Sequence, residues 1–524
     1  MRGVETLLFL VVLGTVVSAF AGRLRVPAAS SLVIAGLAVG LLPGFPPVHV
    51  PPDVVSLVVL PPLLYAASEE LQWRDLRAVW RPVAVLAVGL VVASAAAVAA
   101  VVWAVAGVPV GMAFVLGAVL ASTDPVAVSA LGRRLSLPSK VQALVAAESL
   151  FNDATSLVLF QIAVSVAVGG IAVRTSAAGV LAHGFSRFVV LAAGGAAAGA
   201  VVAAGVIAVR RRVTDPVLAT VVALITPYAA YVTGEVLHVS PVMTVIVAGL
   251  AIGTQRARIT TAQTRLHLHS VYQTLVFLLE SVVFSLIGLQ LPSLIRDLSR
   301  AEAWPAEALA VAGTLIVARI VWVFPLSALI QPRTCAPRLS WPAPAVVSWA
   351  GTRGVVPLAA ALSIPLTGAN GDALPRRDLL LVLAATVIVV SLIVQGLTLE
   401  PLARVAGIAR PGDARHEETI ARARLAEAGL ARIEELADAE AAPDAVIDRV
   451  RASLQVRIDH ARTDAPRLPG PGGLTEREVR RDVVAAENAE LARLHEQGAI
   501  NEATRRRLQH GLDLDAARLT NEQH

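Results

Sequence analysis

A chain of 524 residues that is 56% hydrophobic and only 16% charged, with a mean hydropathy of +0.69, is not a water-soluble globule. Its formal charge of +5 rests on arginine, Lys140 being the sole lysine. In so apolar a chain, arginine in short loops reports membrane topology rather than nucleic-acid binding. The single cysteine, Cys335, excludes an internal disulfide and any cysteine-based metal site.

Apolar runs of 17 to 29 residues recur along the chain, long enough to cross about 30 Å of hydrocarbon. They predict an all-α polytopic membrane protein with thirteen spans, near 4–21, 28–44, 53–70, 80–106, 109–131, 140–168, 183–209, 215–234, 236–254, 270–292, 303–329, 341–365 and 377–403. The first run ends in Ser18-Ala19-Phe20-Ala21, which has the look of a signal-peptide cleavage site. The next helix follows after a short basic loop with no secreted domain between, so the run reads as a retained span. Loops on one side collect Arg23 and Arg25, Arg74, Arg77 and Arg81, Arg133, Arg134 and Lys140, Arg210 to Arg212, Arg256, Arg258 and Arg265, and Arg333 and Arg338. The other side carries only scattered arginine. The positive-inside rule then puts the N-terminus outside and the C-terminal tail in the cytoplasm.

After Pro401 the composition changes. Residues 1–405 read as the transmembrane domain and 406–524 as a cytoplasmic helical tail. Helical patterning covers 415–440 and 474–518, with a Pro/Gly break at 466–473. The tail has no Gly-rich phosphate loop, which argues against a Rossmann-type nucleotide-binding domain.

Three polar insertions interrupt the apolar runs. The fifth span contains Ser122-Thr123-Asp124-Pro125. Proline removes a ladder hydrogen bond and crowds the preceding turn, and Thr and Asp before it suit an N-cap; the stretch predicts a broken helix. Thr214-Asp215-Pro216, at the opening of the eighth span, is a control, where the same tripeptide is expected only to cap a helix. The sixth span carries Glu148-Ser149-Leu150-Phe151-Asn152-Asp153. A charge at mid-bilayer costs about 3 kcal/mol on insertion scales. Ser149, Asp153 and Ser156 share one helical face, with Glu148 and Asn152 on the next stripe, so this face must look into protein or water. The twelfth span contains Gly351-Thr352-Arg353-Gly354-Val355-Val356-Pro357, a second expected break in which Arg353 answers exposed carbonyls at a half-helix end; a plain kink with a snorkelling arginine is the alternative. Spans five and twelve lie seven apart, so spans 1–6 and 8–13 are expected to form inverted repeats, the sequence mark of a transporter with a midplane site. Glu148 needs a cation partner, with Arg319 and Arg353 as candidates. Glu280 also lies deep, Glu69 and Glu70 are expected near solvent, and His238 in a loop.

These motifs, with Phe277-Leu-Leu-Glu280, Leu286-Ile-Gly-Leu289 and Val394-Gln-Gly-Leu-Thr398, make residues 5–405 resemble the monovalent cation:proton antiporter-1 family, the sodium/proton exchangers. The resemblance implies the antiporter fold, a likeness to homodimers, and a core of spans 4–6 and 11–13 that moves against a dimerisation domain. It implies a cation and proton site formed by Asp153, Asp124, Ser149 and the Thr123 main-chain carbonyl. It favours Arg319 over Arg353 as the partner of Glu148. Asn152 stands where the electrogenic branch carries a second Asp, which implies electroneutral exchange. Ala350-Gly351-Thr352 departs from the Gly-Gly-Leu of many relatives and leaves the shape of the second break open.

Hard oxygen ligands suit Na⁺, Li⁺ or K⁺. Burial disfavours an ionised carboxylate, while cations and hydrogen bonds favour it. A carboxylate balanced between these effects can hold either a proton or a metal ion, and that competition suffices for antiport. No cofactor is expected beyond the transported ions, and no nucleic acid. The rival readings are weaker. An intramembrane hydrolase would need a histidine partner for Ser149 or a recognisable catalytic motif, and a cation channel has less use for two matched breaks. Potassium/proton exchange in place of sodium/proton exchange is the nearer alternative.

Overall fold

In hydrocarbon every backbone N–H and C=O must be satisfied within the protein, which leaves an apolar chain the helix as its local solution. The computed structural model describes residues 2–24, 26–43, 55–71, 73–124, 139–168, 177–213, 215–259, 262–298, 303–330, 341–368, 372, 374–407, 427–439 and 443–463. Among them the chain is almost wholly helical. It divides into two units, Met1–Ala414 and Arg415–His524.

In the first unit the helices are α1 (Arg2–Leu24), α2 (Ala28–Gly40), α3 (Leu60–Glu70, entered through a π-helical turn at Val55–Val59), α4 (Trp73–Ala106), α5 (Val110–Leu120), α6 (Ser139–Ala167), α7 (Ala177–Arg210), α8 (Pro216–Val236), α9 (Pro241–Ile259), α10 (Ala262–Asp297), α11 (Trp304–Ile330), α12 (Pro342–Trp349), α13 (Val355–Leu362) and α14 (Arg377–Val405). Seven described helices, within α4, α6, α7, α8, α10, α11 and α14, are long and apolar enough to cross a membrane. They fall on seven of the expected spans. Shorter apolar helices lie within α1, α2, α5 and α9. At 1.5 Å per residue the 11 residues of α5 reach only about half-way across the hydrocarbon.

Proline leaves local marks. Pro82 lies inside α4, and the ladder widens into a π-helical segment, Val85–Leu90, immediately after it. No sequence pattern announces that segment. At the control site Asp215 does cap α8: its Oδ1 accepts from the N–H groups of Val217 and Leu218, each at 2.8 Å, with Pro216 at the first turn. His238 occupies a left-handed conformation (φ 53°) in the turn between α8 and α9, a loop residue as expected.

The packing sorts the helices into two groups. α4, α5 and α6 pack on one another and on α11 to α14, while α1, α2 and α3 pack with α7 to α10. The groups meet where α14 touches α2 and α10, α13 touches α10, and α6 touches α3, α7 and α9. α1 is part of this fabric, with Leu10 buried against Leu286 and Leu289 of α10. One topological residue departs from expectation: Arg210, assigned to a basic loop, is the last residue of α7 and is buried.

In the second unit a helix spans 427–438, inside the expected 415–440. α15 (Asp444–Thr463) follows, where no helix was expected. Its charges mask an apolar stripe, and Ile447 and Ile458 are buried. The expected helix at 474–518 lies outside the described residues.

Candidate functional site

Two interruptions meet at the centre of the first unit. α5 stops at Leu120, and residues 121–124 run on unwound. α12 stops at Trp349, residues 351–354 are unwound, and α13 begins at Val355. The second break is thus present as expected. Of the first, the leading half and the unwound strand are described; Pro125 and the stretch after it lie outside the described residues.

The unwound strands satisfy each other. The Asp124 N–H donates to the Thr352 carbonyl at 2.7 Å, and Thr352 Oγ1 donates to the Asp124 carbonyl at 3.2 Å. Arg353 does not snorkel: it is buried, and its Nη1 donates to the Ser122 carbonyl at 2.9 Å. Arg353 therefore answers a carbonyl beyond a half-helix end, as the sequence suggested, but on the opposite break. Its own N–H donates to Ser391 Oγ of α14 at 2.9 Å.

Beside this crossing lies the polar face of α6, with Glu148, Ser149, Asn152, Asp153 and Ser156 all buried. Ser122 Oγ donates to Asp153 Oδ1. Asn152 is bound at both ends of its amide: Nδ2 donates to Thr123 Oγ1, and Oδ1 accepts from the Thr123 N–H at 3.2 Å. Thr123 Oγ1 also lies 3.2 Å from Ser149 Oγ, and Ser156 Oγ donates to the Ala118 carbonyl at 2.7 Å. Asn152 thus holds the unwound strand against α6. A non-titrating amide serves that purpose, because both its donor and its acceptor are used.

Glu148 faces away from this cluster to Arg319 of α11. Arg319 Nη2 donates to Glu148 Oε2 at 2.9 Å, Nη1 lies 2.6 Å from Oε1, and Nε donates to the Val347 carbonyl at 3.1 Å. Both side chains are almost fully buried, at 3% and 1% exposure. Of the two candidate partners, Arg319 is the one in contact.

The glycines of the second break permit close approach. A Cβ at Gly351 would meet the Arg319 side chain at 2.6 Å, and one at Gly354 would collide with the Asp124 carboxylate. Over-packing of this kind costs about 1–3 kcal/mol. Gly354→Ala is expected to reduce ion-exchange rates at least about fivefold, the low end of that range, with the protein still inserted. Gly313→Ala in α11, where a Cβ meets nothing within 4 Å, serves as the control. Wild-type exchange by Gly354→Ala would show that Asp124 can leave without consequence.

A cavity of about 800 Å³ reaches this site, bordered by Ser122, Thr123, Asp124, Asp153 and Gly354. It extends past Leu150, Phe277 and Glu280 to Glu70, Asp75, Gln142 and His269, at the ends of α3, α4, α6 and α10 that carry the arginine-rich connections. Glu70 is exposed, as expected, whereas Glu69 is half-buried. Three residues were not assigned a role from the sequence. Ser122 adjoins the Thr-Asp-Pro motif, and a hydroxyl within a break was a usable signal. Ser391 and Thr352 act through contacts across tens to hundreds of residues, which no local pattern carries.

The unwound end of the half-spanning α5 meeting the break between α12 and α13 beside buried carboxylates, with a cavity leading to them, is the architecture of an ion transporter of the antiporter class. A family model for the transmembrane sodium/hydrogen exchangers matches residues 7–405, and the chain belongs to that family. It is 33% identical over 525 residues to an uncharacterised Na⁺/H⁺ exchanger of Mycobacterium bovis, covering 97% of this chain and 94% of the relative. It is 29% identical over 378 residues to a low-affinity Na⁺/H⁺ antiporter of Synechocystis, covering 71% and 68%. A sodium, potassium, lithium and rubidium/H⁺ antiporter of Bacillus pumilus is 30% identical over 417 residues, covering 76% of this chain and 60% of that protein. The fold matches the sodium/proton antiporter of Methanocaldococcus jannaschii with a TM-score of 0.61 at 20% identity, covering 78% of this chain and 98% of that one.

Proposed function

We propose that the protein exchanges one Na⁺ for one H⁺ across the cell membrane by alternating access, with Asp153 and Asp124 as the carboxylates for which the two ions compete. The observation that carries this reading is the buried charge. Asp124 and Asp153 lie buried at the crossing, with Arg353 bound to the Ser122 carbonyl and the Glu148–Arg319 pair behind them, so with every group ionised these three carboxylates and two guanidinium groups leave one negative charge. Exposing a net charge to hydrocarbon is costly. One monovalent cation or one proton cancels it, so the helix group α4–α6 and α11–α14 reorients when loaded and stays when empty. Two protons, or a divalent cation, would overshoot.

Ser149, Thr123 and Ser122 supply hard oxygens beside the carboxylates, suited to a small alkali cation. Asn152 and Arg353 hold the two unwound strands in register, and Glu148 with Arg319 braces the end of α12. The cavity opens toward the ends of α3, α4, α6 and α10 that, in sequence, adjoin the arginine-rich connections, which supports a cytoplasm-facing cavity, an outer N-terminus and a cytoplasmic tail from 406 onward. A homodimer and a role in sodium and pH homeostasis fit the family expectation. Potassium/proton exchange has support in the Bacillus pumilus relative, a sodium, potassium, lithium and rubidium/H⁺ antiporter.

Proteoliposomes with an internal pH dye test the proposal. Na⁺ and Li⁺ gradients are expected to drive proton movement, K⁺ less, with rates insensitive to a valinomycin-set voltage. Voltage-dependent rates would overturn one-for-one exchange, and K⁺ driving flux as well as Na⁺ would overturn the sodium assignment.

A further inference from the structure

The cavity has a second polar wall that the exchange cycle does not use. Asp153 is the thirteenth residue of the apolar span Val141–Ala167, and Glu280 is the thirteenth of Leu268–Arg296. α6 and α10 start from the same side, so both carboxylates lie about 18 Å along their spans. They line the same cavity but belong to different helix groups, α6 to the one that would move and α10 to the other.

Two hydroxyls accompany Glu280. Ser281 of α10 is 1% exposed, borders the cavity, and its Oγ has no hydrogen-bond partner. Ser18 of α1 also borders the cavity, with its Oγ buried and likewise unpartnered. Both lie on helices that pack against each other, α1 and α10. A Cβ on Gly14 of α1 would stand 3.1 Å from Ser281 Oγ, and Ser18 is one turn on from Gly14, on the same helix face. Side chains on α10 lean toward its N-terminus, so the Glu280 carboxylate is carried toward the level of Ser18. A buried hydroxyl left without a partner is destabilising. Two such hydroxyls and a mid-membrane carboxylate lining one cavity are of the hard-oxygen type that an alkali cation accepts.

We infer that Glu280, Ser281 and Ser18 form a second, weaker site for a partly hydrated monovalent cation, fixed on the α1/α10 wall opposite Asp153. A cation arriving through the cavity exchanges part of its water for these oxygens and then crosses to Asp153. The site stays in place while the Asp153 group moves, so it raises local cation concentration without adding to the charge carried. The inference rests on the exchange reading above.

In proteoliposomes Glu280→Gln is expected to raise the apparent KM for Na⁺ about five- to tenfold, the loss of roughly 1–1.4 kcal/mol of binding, with Vmax at saturating Na⁺ largely kept. Ser18→Ala/Ser281→Ala, which keeps every charge, is expected to raise KM in the same direction, and it decides the matter should Glu280→Gln fail to assemble. ²³Na NMR gives a readout independent of transport. Purified Asp153→Asn protein is expected to retain saturable line broadening that Asp153→Asn/Glu280→Gln lacks. An unchanged KM, a fall in Vmax alone, or identical broadening in those two proteins would overturn the second site. Absence of Na⁺-driven proton flux in the wild-type protein would instead overturn the exchange reading itself.

Discussion

Asp153→Asn is expected to abolish cation-coupled proton movement while the protein inserts and folds. Removing the charged partner of a desolvated ion costs about 3–5 kcal/mol, and each 1.4 kcal/mol is tenfold in occupancy. Cation binding at the crossing should therefore fall by about two to four orders of magnitude. The substitution also removes one negative charge from a cluster that otherwise has three carboxylates and two guanidinium groups. The variant is neutral without cargo, so it should be at least as heat-stable as the sodium-free wild type. The wild type should melt at a higher temperature with rising Na⁺, through ordinary ligand linkage, and the variant should show that shift much reduced. The Asn152 clamp on Thr123 uses neither Asp153 oxygen, and an amide oxygen at position 153 can still accept from Ser122 Oγ, so the unwound strand stays held. Robust Na⁺-driven proton flux in Asp153→Asn, or an undiminished Na⁺-dependent melting shift, would remove Asp153 from the centre of the mechanism.

What could be read from the sequence divides along a physical line. Cost was legible. A helix that buries Glu148, Asn152 and Asp153 in an apolar run must face protein or water, and all three are buried in protein. Backbone defects were legible too, because Gly351, Gly354 and Pro357 act on their own helix. Partner choice was legible only through family likeness, since spacing left Arg319 and Arg353 equal as partners of Glu148. Arg353 proves to bind a carbonyl 231 residues away, and no periodicity encodes such a contact. Neighbouring charges misled in the case of Arg210, read as one of three loop arginines, because a run of like residues does not say where the helix ends. The π segment after Pro82 went unseen for a related reason: proline announces a missing hydrogen bond, not how the helix repairs it.

Replacing either member of the Glu148–Arg319 pair alone should do more harm than replacing both. A buried ion left without its partner costs about 3–5 kcal/mol. Replacing the pair by uncharged side chains of similar volume is far less damaging, and is sometimes neutral. Glu148→Gln leaves Arg319 charged at the back of the site, and Arg319→Met leaves Glu148 so; the double replacement leaves neither. The double protein does not return fully to wild type, because the Val347 carbonyl loses the Arg319 Nε donor, a residual cost of about 1–3 kcal/mol. Methionine keeps the stem that lies against Gly351. The transport consequence runs in parallel. Each single replacement changes the resting charge of the cluster by one unit, Glu148→Gln to neutral and Arg319→Met to two negative charges. The double replacement keeps the single negative charge that one cation or proton cancels. Thermal melting of the purified proteins and Na⁺-driven proton flux should therefore rank together, with the double above both singles. A double replacement no better than the worse single in both measurements would mean that the two side chains act separately, and the brace at the end of α12 would need another explanation.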